Sequence, residues 1–239
     1  MLYPVELRGR EFLIITSTWS TSSGGPTVVC RLPEPLRIRV IVNVLILAAM
    51  MLIAEPPQLA AKAETLDVPK QLASAIRAAC LRNAVNVTDK AGAVCSIWLR
   101  KDILAKDGKV LPGTFIGAIQ LHRPWSDFKT QEVPAGIYAL RYVLQPLSKD
   151  HEGTAPQRDF VILVPAAEDT TLDVLPLKSI IRKSGKATGG THPVVMLLYP
   201  HPKPGVEPIV LAKGKRIAIG VRWQENLGFA FTLVGSAVD

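Results

Sequence analysis

The sequence predicts a mainly β protein, an antiparallel β-sandwich of about eight or nine short strands with one accessory N-terminal helix. Three observations lead there. Beyond Asn83 the apolar residues recur at every second position, the period of a half-buried strand. Clusters of Gly, Pro and Asp separate these runs, as turns require. No strand–helix–strand alternation occurs, so a parallel α/β sheet is not expected. Two sheets packed face to face bury both apolar sets, and a closed barrel is the alternative.

The 239-residue chain begins with two segments outside the expected domain. Residues 1–36 read as a non-native or disordered extension, with a polar, Gly-containing stretch from Ser17 to Pro26. Residues 37–63 read as a signal peptide. Arg37 and Arg39 supply the basic region, and Val40–Ala54 is apolar but for Asn43. Glu55-Pro56-Pro57 ends any helix, and Ala61-Lys62-Ala63 is a small-x-small cleavage site. The apolar run, about 15 residues, is short of the roughly 20 that span a bilayer. A retained membrane anchor is the alternative. Cleavage after Ala63 leaves residues 64–239 as one domain. Because an apolar region normally follows closely on the N-terminus, translation is expected to start near Leu36 or Val40.

Val68–Asn83 is the helix candidate. Asp67 is placed to cap it, Pro69 falls in its first turn, and Leu72, Ile76, Ala79 and Asn83 follow helical spacing. Strands Val85–Thr88 and Val94–Leu99 flank the turn Asp89–Gly92. Phe115, Gly117, Ile119 and Leu121 alternate with Thr114, Ala118, Gln120 and His122. Tyr138, Leu140, Tyr142 and Leu144 alternate with a wetter face holding Arg141 and Gln145. Phe160–Val164 and Val194–Tyr199 are apolar at every position and belong in the centre, covered on both faces. The C-terminus reads as a hairpin in which Ile217, Ile219, Val221 and Trp223 share a face with Phe229, Phe231 and Leu233. A turn centred on Asn226 sets Trp223 opposite Phe229 and Val221 opposite Phe231.

The formal net charge is +8. Removing the six basic and four acidic residues up to Ala63, Glu64 staying with the domain, changes it little, and the basic residues form no run or stripe. Nucleic acid is therefore not the expected partner. Of three cysteines, Cys30 falls in the discarded part. Cys80 and Cys95 are left, and an oxidising compartment allows a bridge between them. The stronger reading makes Cys95 a small core residue, alternating with Ile97 and Leu99.

Val133-Pro134-Ala135-Gly136-Ile137-Tyr138 is the clearest local motif. Its tyrosine is placed to bury its ring and bond a backbone partner, a device that resembles the tyrosine corner of sandwich domains. Similar turn–PxGxY–strand segments occur in transthyretin-like exported modules. Over a longer stretch, Leu140-Arg141-Tyr142, Gln145-Pro146, His151-Glu152-Gly153, Arg158-Asp159-Phe160 and His192-Pro193 resemble an uncharacterised family of exported bacterial β-sandwich proteins. The resemblance covers roughly Trp98–Val234 and implies a fold and a compartment, with no assigned activity.

Catalytic signatures are mostly absent from the sequence. There is no G-x-S-x-G elbow, C-x-x-C or H-E-x-x-H, and Ser184-Gly185-Lys186 lacks the context of a phosphate loop. Asp127, Asp150, Glu152 and Asp159 read as solvated surface. The one candidate constellation is a metal site of His122, His151, Asp159 and His192, all at expected strand ends or in loops. Neutral imidazoles with one carboxylate suit a divalent ion such as zinc, provided His151 and His192 approach within about 10 Å. The functional expectation is an exported, periplasmic or extracellular, non-catalytic binding module of the cell envelope. Its ligand would be a protein, glycan or peptide. The alternative is a metal-binding protein or metal-dependent enzyme.

Overall fold

Antiparallel pairing of neighbouring segments organises the chain, as the alternating sequence predicts. The computed structural model describes residues 58–102, 105–106, 109–145, 157–201, 205, 207–224 and 227–235. Strand β1 (Ala60–Thr65) precedes helix α1 (Ser74–Ala79), β2 (Asn83–Asp89) and β3 (Gly92–Leu99). Next come β4 (Ala105–Lys106), β5 (Lys109–Val110), β6 (Phe115–Leu121), β7 (Trp125–Ser126), β8 (Glu132–Val133), β9 (Gly136–Leu144) and β10 (Asp159–Pro165). Helix α2 (Leu177–Gly185) leads to β11 (Val194–Pro200), β12 (Ile209–Lys213), β13 (Arg216–Gln224) and β14 (Leu227–Val234).

The mainly β, antiparallel class is observed, but the two-sheet sandwich is not. Ten strands form one sheet in the order β1-β2-β3-β6-β9-β10-β11-β14-β13-β12, and β4-β5 and β7-β8 are small separate hairpins. The end strands β1 and β12 come close to each other, so the sheet curls almost to a barrel. Register shifts at Val87/Thr88, Phe115/Gly117, Ile217/Ala218 and Arg222/Gln224 mark bulges. Bulges increase local twist and let one sheet wrap around its own apolar face.

The inner face holds one continuous core, with Ile97, Ile119, Leu140, Leu163, Met196 and Phe231 from six different strands. The outer face carries two further apolar patches. Leu72, Ile76 and Cys80 cover Trp98, Phe115 and Ala118. Ile180 of α2 covers Ile162, Val164, Val195 and Leu197. Strands β10 and β11 therefore alternate between two cores, Val161 and Leu163 inward, Phe160, Ile162 and Val164 outward. That double burial is what their unbroken apolar sequences predict.

Arg141 departs from the expected wetter face. It is fully buried, as is its partner Asp169. Its Nε and Nη2 donate to the two Asp169 carboxylate oxygens, each at 2.7 Å. Nη1 donates to the carbonyls of Gly113 (3.0 Å) and Asp173 (2.6 Å), and Nη2 to that of Thr171 (2.5 Å). The guanidinium also lies 5.8 Å from the Phe115 ring centroid. All five N–H groups are thus used. The segment after β10 covers this position, which strand periodicity alone does not reveal.

Other expectations are adjusted locally. The helix is Ser74–Ala79, not Val68–Asn83, because Cys80 bridges to Arg100 and Leu81 donates to the Leu99 carbonyl, drawing the chain into the sheet. Asp67 pairs with Arg82 and caps nothing. Helix α2 adds a second helix to the one expected. In β6 the bulge at Phe115/Gly117 turns Phe115 outward, away from Ile119 and Leu121. The C-terminal hairpin has the expected shared face, but Val221 pairs with Phe229 and Ile219 with Phe231. Trp223 sits in the bulge between Arg222 and Gln224 and still meets Phe229 edge-on, their centroids 5.1 Å apart. Ala61-Lys62-Ala63, read as a cleavage site, lies within β1 and pairs with β2. Its small–polar alternation suits an edge strand equally well.

The PxGxY motif behaves as the tyrosine-corner likeness implies. Tyr138 is buried and its hydroxyl donates to the Pro134 carbonyl at 2.8 Å. Gly136 is not among the residues of positive φ. A Cβ there would only touch the Tyr138 ring, at 3.4 Å. A more demanding glycine is Gly117, where a Cβ would lie 2.4 Å from the Trp98 carbonyl oxygen.

Two outcomes are expected in urea denaturation. Gly117→Ala should cost about 1–3 kcal/mol by overpacking, while Gly136→Ala should change stability little. Asp169→Ala strands the buried Arg141 charge and should cost about 3–5 kcal/mol; a loss under 1 kcal/mol would mean that water reaches the guanidinium.

Candidate binding groove

Of the four residues of the expected metal site, His122, Asp159 and His192 are described, and these three are not gathered. Asp159 opens β10 opposite Leu144, whereas His192 precedes β11 beside the far end of β10, where Leu163 pairs with Val194. Four strand residues, about 13 Å, separate those levels. Asp159 accepts a hydrogen bond from the Tyr142 hydroxyl at 2.7 Å. Burial, and then this carboxylate, push the Tyr142 hydroxyl above its ordinary titration range. His122 follows β6 at the end where Leu121 pairs with Gly136. His151, and with it the His151–His192 distance, lies outside the described residues, as do Asp150 and Glu152. Among the described residues no three His, Cys, Asp or Glu side chains form a metal-sized group.

Several polar constellations that resemble catalytic ones have structural explanations. His122 Nε2 lies 2.9 Å from Ser96 Oγ, a serine–histidine contact. Ser96 is only 2% exposed, however, and its hydroxyl also donates to Asn86, which bonds Glu64. The result is a polar ladder across strands in which the serine hydroxyl is already engaged on both sides. Asp127 is buried and accepts from the Lys129, Gln131 and Val195 backbones and from the Gln131 amide. Ser184 links Leu163 to Val194. A depression of about 350 Å³ beside Trp125 and Leu233 has its polar groups engaged, Arg123 with Asp89 and the Trp125 indole with the Leu233 carbonyl.

The larger of the two sites is a groove of about 850 Å³ on the outer face of β11, β14, β13 and β12. Alternation builds it. Ile219, Val221, Phe231 and Leu233 point into the inner core, so Ala218, Gly220, Ala230 and Thr232 face outward. Small side chains on neighbouring strands leave a depression. Tyr199 and Leu211 form apolar walls, and Lys213, Lys215 and Arg216 form a basic rim. The Arg216 guanidinium also lies 6.0 Å from the Phe128 ring centroid. Thr232 is 4% exposed, and its Oγ1 is buried without a hydrogen-bond partner. Thr114 and Thr188 share that state, but Thr232 lines the groove. A desolvated, unpaired hydroxyl is costly unless something bonds it.

The sequence reading did not select this site. Its signal was Arg216 and Ala218, a basic and a small residue on the other face of the C-terminal hairpin. Comparison of the chain with protein-family models, curated proteins and solved structures finds no match.

Cys80 and Cys95 are free, buried thiols in separate clusters, Cys80 beneath α1 and Cys95 in the inner core. Burial pushes both thiols up to about 12. Iodoacetamide at pH 8 should therefore leave both unmodified in the native protein and label both in guanidinium, as read by peptide mass mapping. Rapid native labelling of either would contradict its placement.

Proposed function

We propose that this chain is an exported, non-catalytic binding module of the cell envelope and takes its ligand in the β11–β14–β13–β12 groove. The observation that carries the reading is the groove itself. Its volume lies in the range of small-molecule sites, it combines apolar walls with a basic rim, and it contains a buried hydroxyl lacking a partner. Elsewhere the outer face is covered by α1 and α2, whose apolar side chains close the patches beneath them. The leader-like residues 37–63 and the resemblance to exported bacterial proteins support the compartment. No helix among the described residues is long and apolar enough to cross a membrane.

Filling the groove tests its role. Ala218→Phe places a ring on the outer face, opposite both Leu211 and Thr232. In a thermal-shift screen of envelope-derived small molecules, a true ligand should raise the Tm of the wild type and leave that of folded Ala218→Phe unchanged. Equal shifts in both proteins would place binding elsewhere. Export is tested by fusing residues 36–66 to a reporter active only outside the cytoplasm. Secretion is expected, with the processed chain starting at Glu64 and β1 reduced to Glu64–Thr65. A reporter retained inside would overturn the compartment.

A further inference from the structure

We infer that the groove binds a free, single-chain alkyl carboxylate, an apolar tail with one anionic head. This rests on the groove being the ligand site and names what it takes. The groove is chemically asymmetric along the strands. Lys213 pairs across the β12–β13 hairpin with Arg216, and Lys215 lies between them in sequence, so three cations stand at one end. Two residues further, about 7 Å along the strands, Ala218 lies between Leu211 and Thr232. Beyond that, Ala230 pairs with Tyr199, and Pro200 continues the apolar wall.

Each feature limits the ligand. A wholly apolar molecule covers Tyr199, Leu211 and Ala230 but leaves the Thr232 hydroxyl buried and unpaired. A small inorganic anion suits Lys213 and leaves the apolar wall in water. A carboxylate joined to an alkyl chain meets both demands. One oxygen accepts from Thr232 Oγ1, the charge lies towards Lys213, and the chain follows β14 towards Tyr199. Thr232 then has a role that the unliganded fold does not give it, since its hydroxyl contributes no hydrogen bond to stability.

Calorimetric titration of the full chain with decanoate, decanol and acetate tests this. Decanoate should bind, decanol at least tenfold more weakly, and acetate not measurably. Thr232→Val keeps the side-chain shape and removes the unpaired hydroxyl. It should leave the Tm unchanged or raised while weakening decanoate about tenfold. Lys213→Glu should weaken decanoate and leave decanol unaffected. Equal affinity for decanol and decanoate, or unchanged affinity in Thr232→Val, would overturn the assignment. Binding to anionic lipid vesicles without binding of monomeric decanoate would overturn it too, making the face a membrane-docking surface. Failure of decanoate while a screened ligand still distinguishes wild type from Ala218→Phe removes the carboxylate and keeps the groove. Decanoate binding undiminished in Ala218→Phe removes the groove itself.

Discussion

The buried guanidinium of Arg141 is the constraint on which the outer face of the sheet depends. A charge taken out of water must be paired and fully hydrogen-bonded. Arg141 meets this by recruiting Asp169 and three backbone carbonyls, those of Gly113, Thr171 and Asp173. Three of those partners lie in the segment between β10 and α2. The pairing therefore fixes the path of the chain as it leaves β10 and so helps to deliver α2 onto its apolar patch. Gly113 belongs to the same junction. Its φ is 94°, and a Cβ there would fall 2.2 Å from the Leu175 carbonyl oxygen. That backbone approach, reinforced by a Leu175 N–H bond to the Gly113 carbonyl at 3.2 Å, is open to glycine alone.

Curling one sheet solves a burial problem that two flat sheets would solve differently. The inner residues of eight strands meet each other, and no second sheet is needed to cover them. The same curl turns the other face outward everywhere, so that face must be covered or made of residues that tolerate exposure. Two kinds of residue occupy it. Beneath α1 and α2 the outward residues are large and apolar, among them Trp98, Phe115, Phe160 and Leu197. On β13 and β14 the outward Ala218, Ala230 and Thr232 are small and line the groove. The outer face is thus divided between large residues that anchor helices and small ones that line the groove.

Much of the strand pattern was legible because side-chain direction alternates with every residue. The double burial of β10 and β11, the shared face of the C-terminal hairpin and the Tyr138 corner all follow from local sequence. Bulges were not legible. One extra residue reverses the faces of everything beyond it, which is why Phe115 parts from Ile119 and why Trp223 loses its expected partner. The placement of the metal candidates was not legible for a different reason. A histidine near a strand end is recognisable in sequence, but which end of the sheet it occupies depends on strand direction, and Asp159 and His192 adjoin opposite ends of β10.

The sequence by itself determined the strand class, the antiparallel pairing of neighbours and the inward-facing core, because these depend on contacts between nearby residues and on a two-residue period. Only the tertiary structure decided that ten strands form one curled sheet, that Arg141 is an interior residue and that the basic rim and Thr232 share a groove. Those features depend on contacts between distant segments. Asp169 reaches Arg141 across 28 positions, and the groove joins β11 to a hairpin that follows it in the chain but lies beside it through β14. No local period encodes which segments will cover an outward face, so burial there is set by chain path.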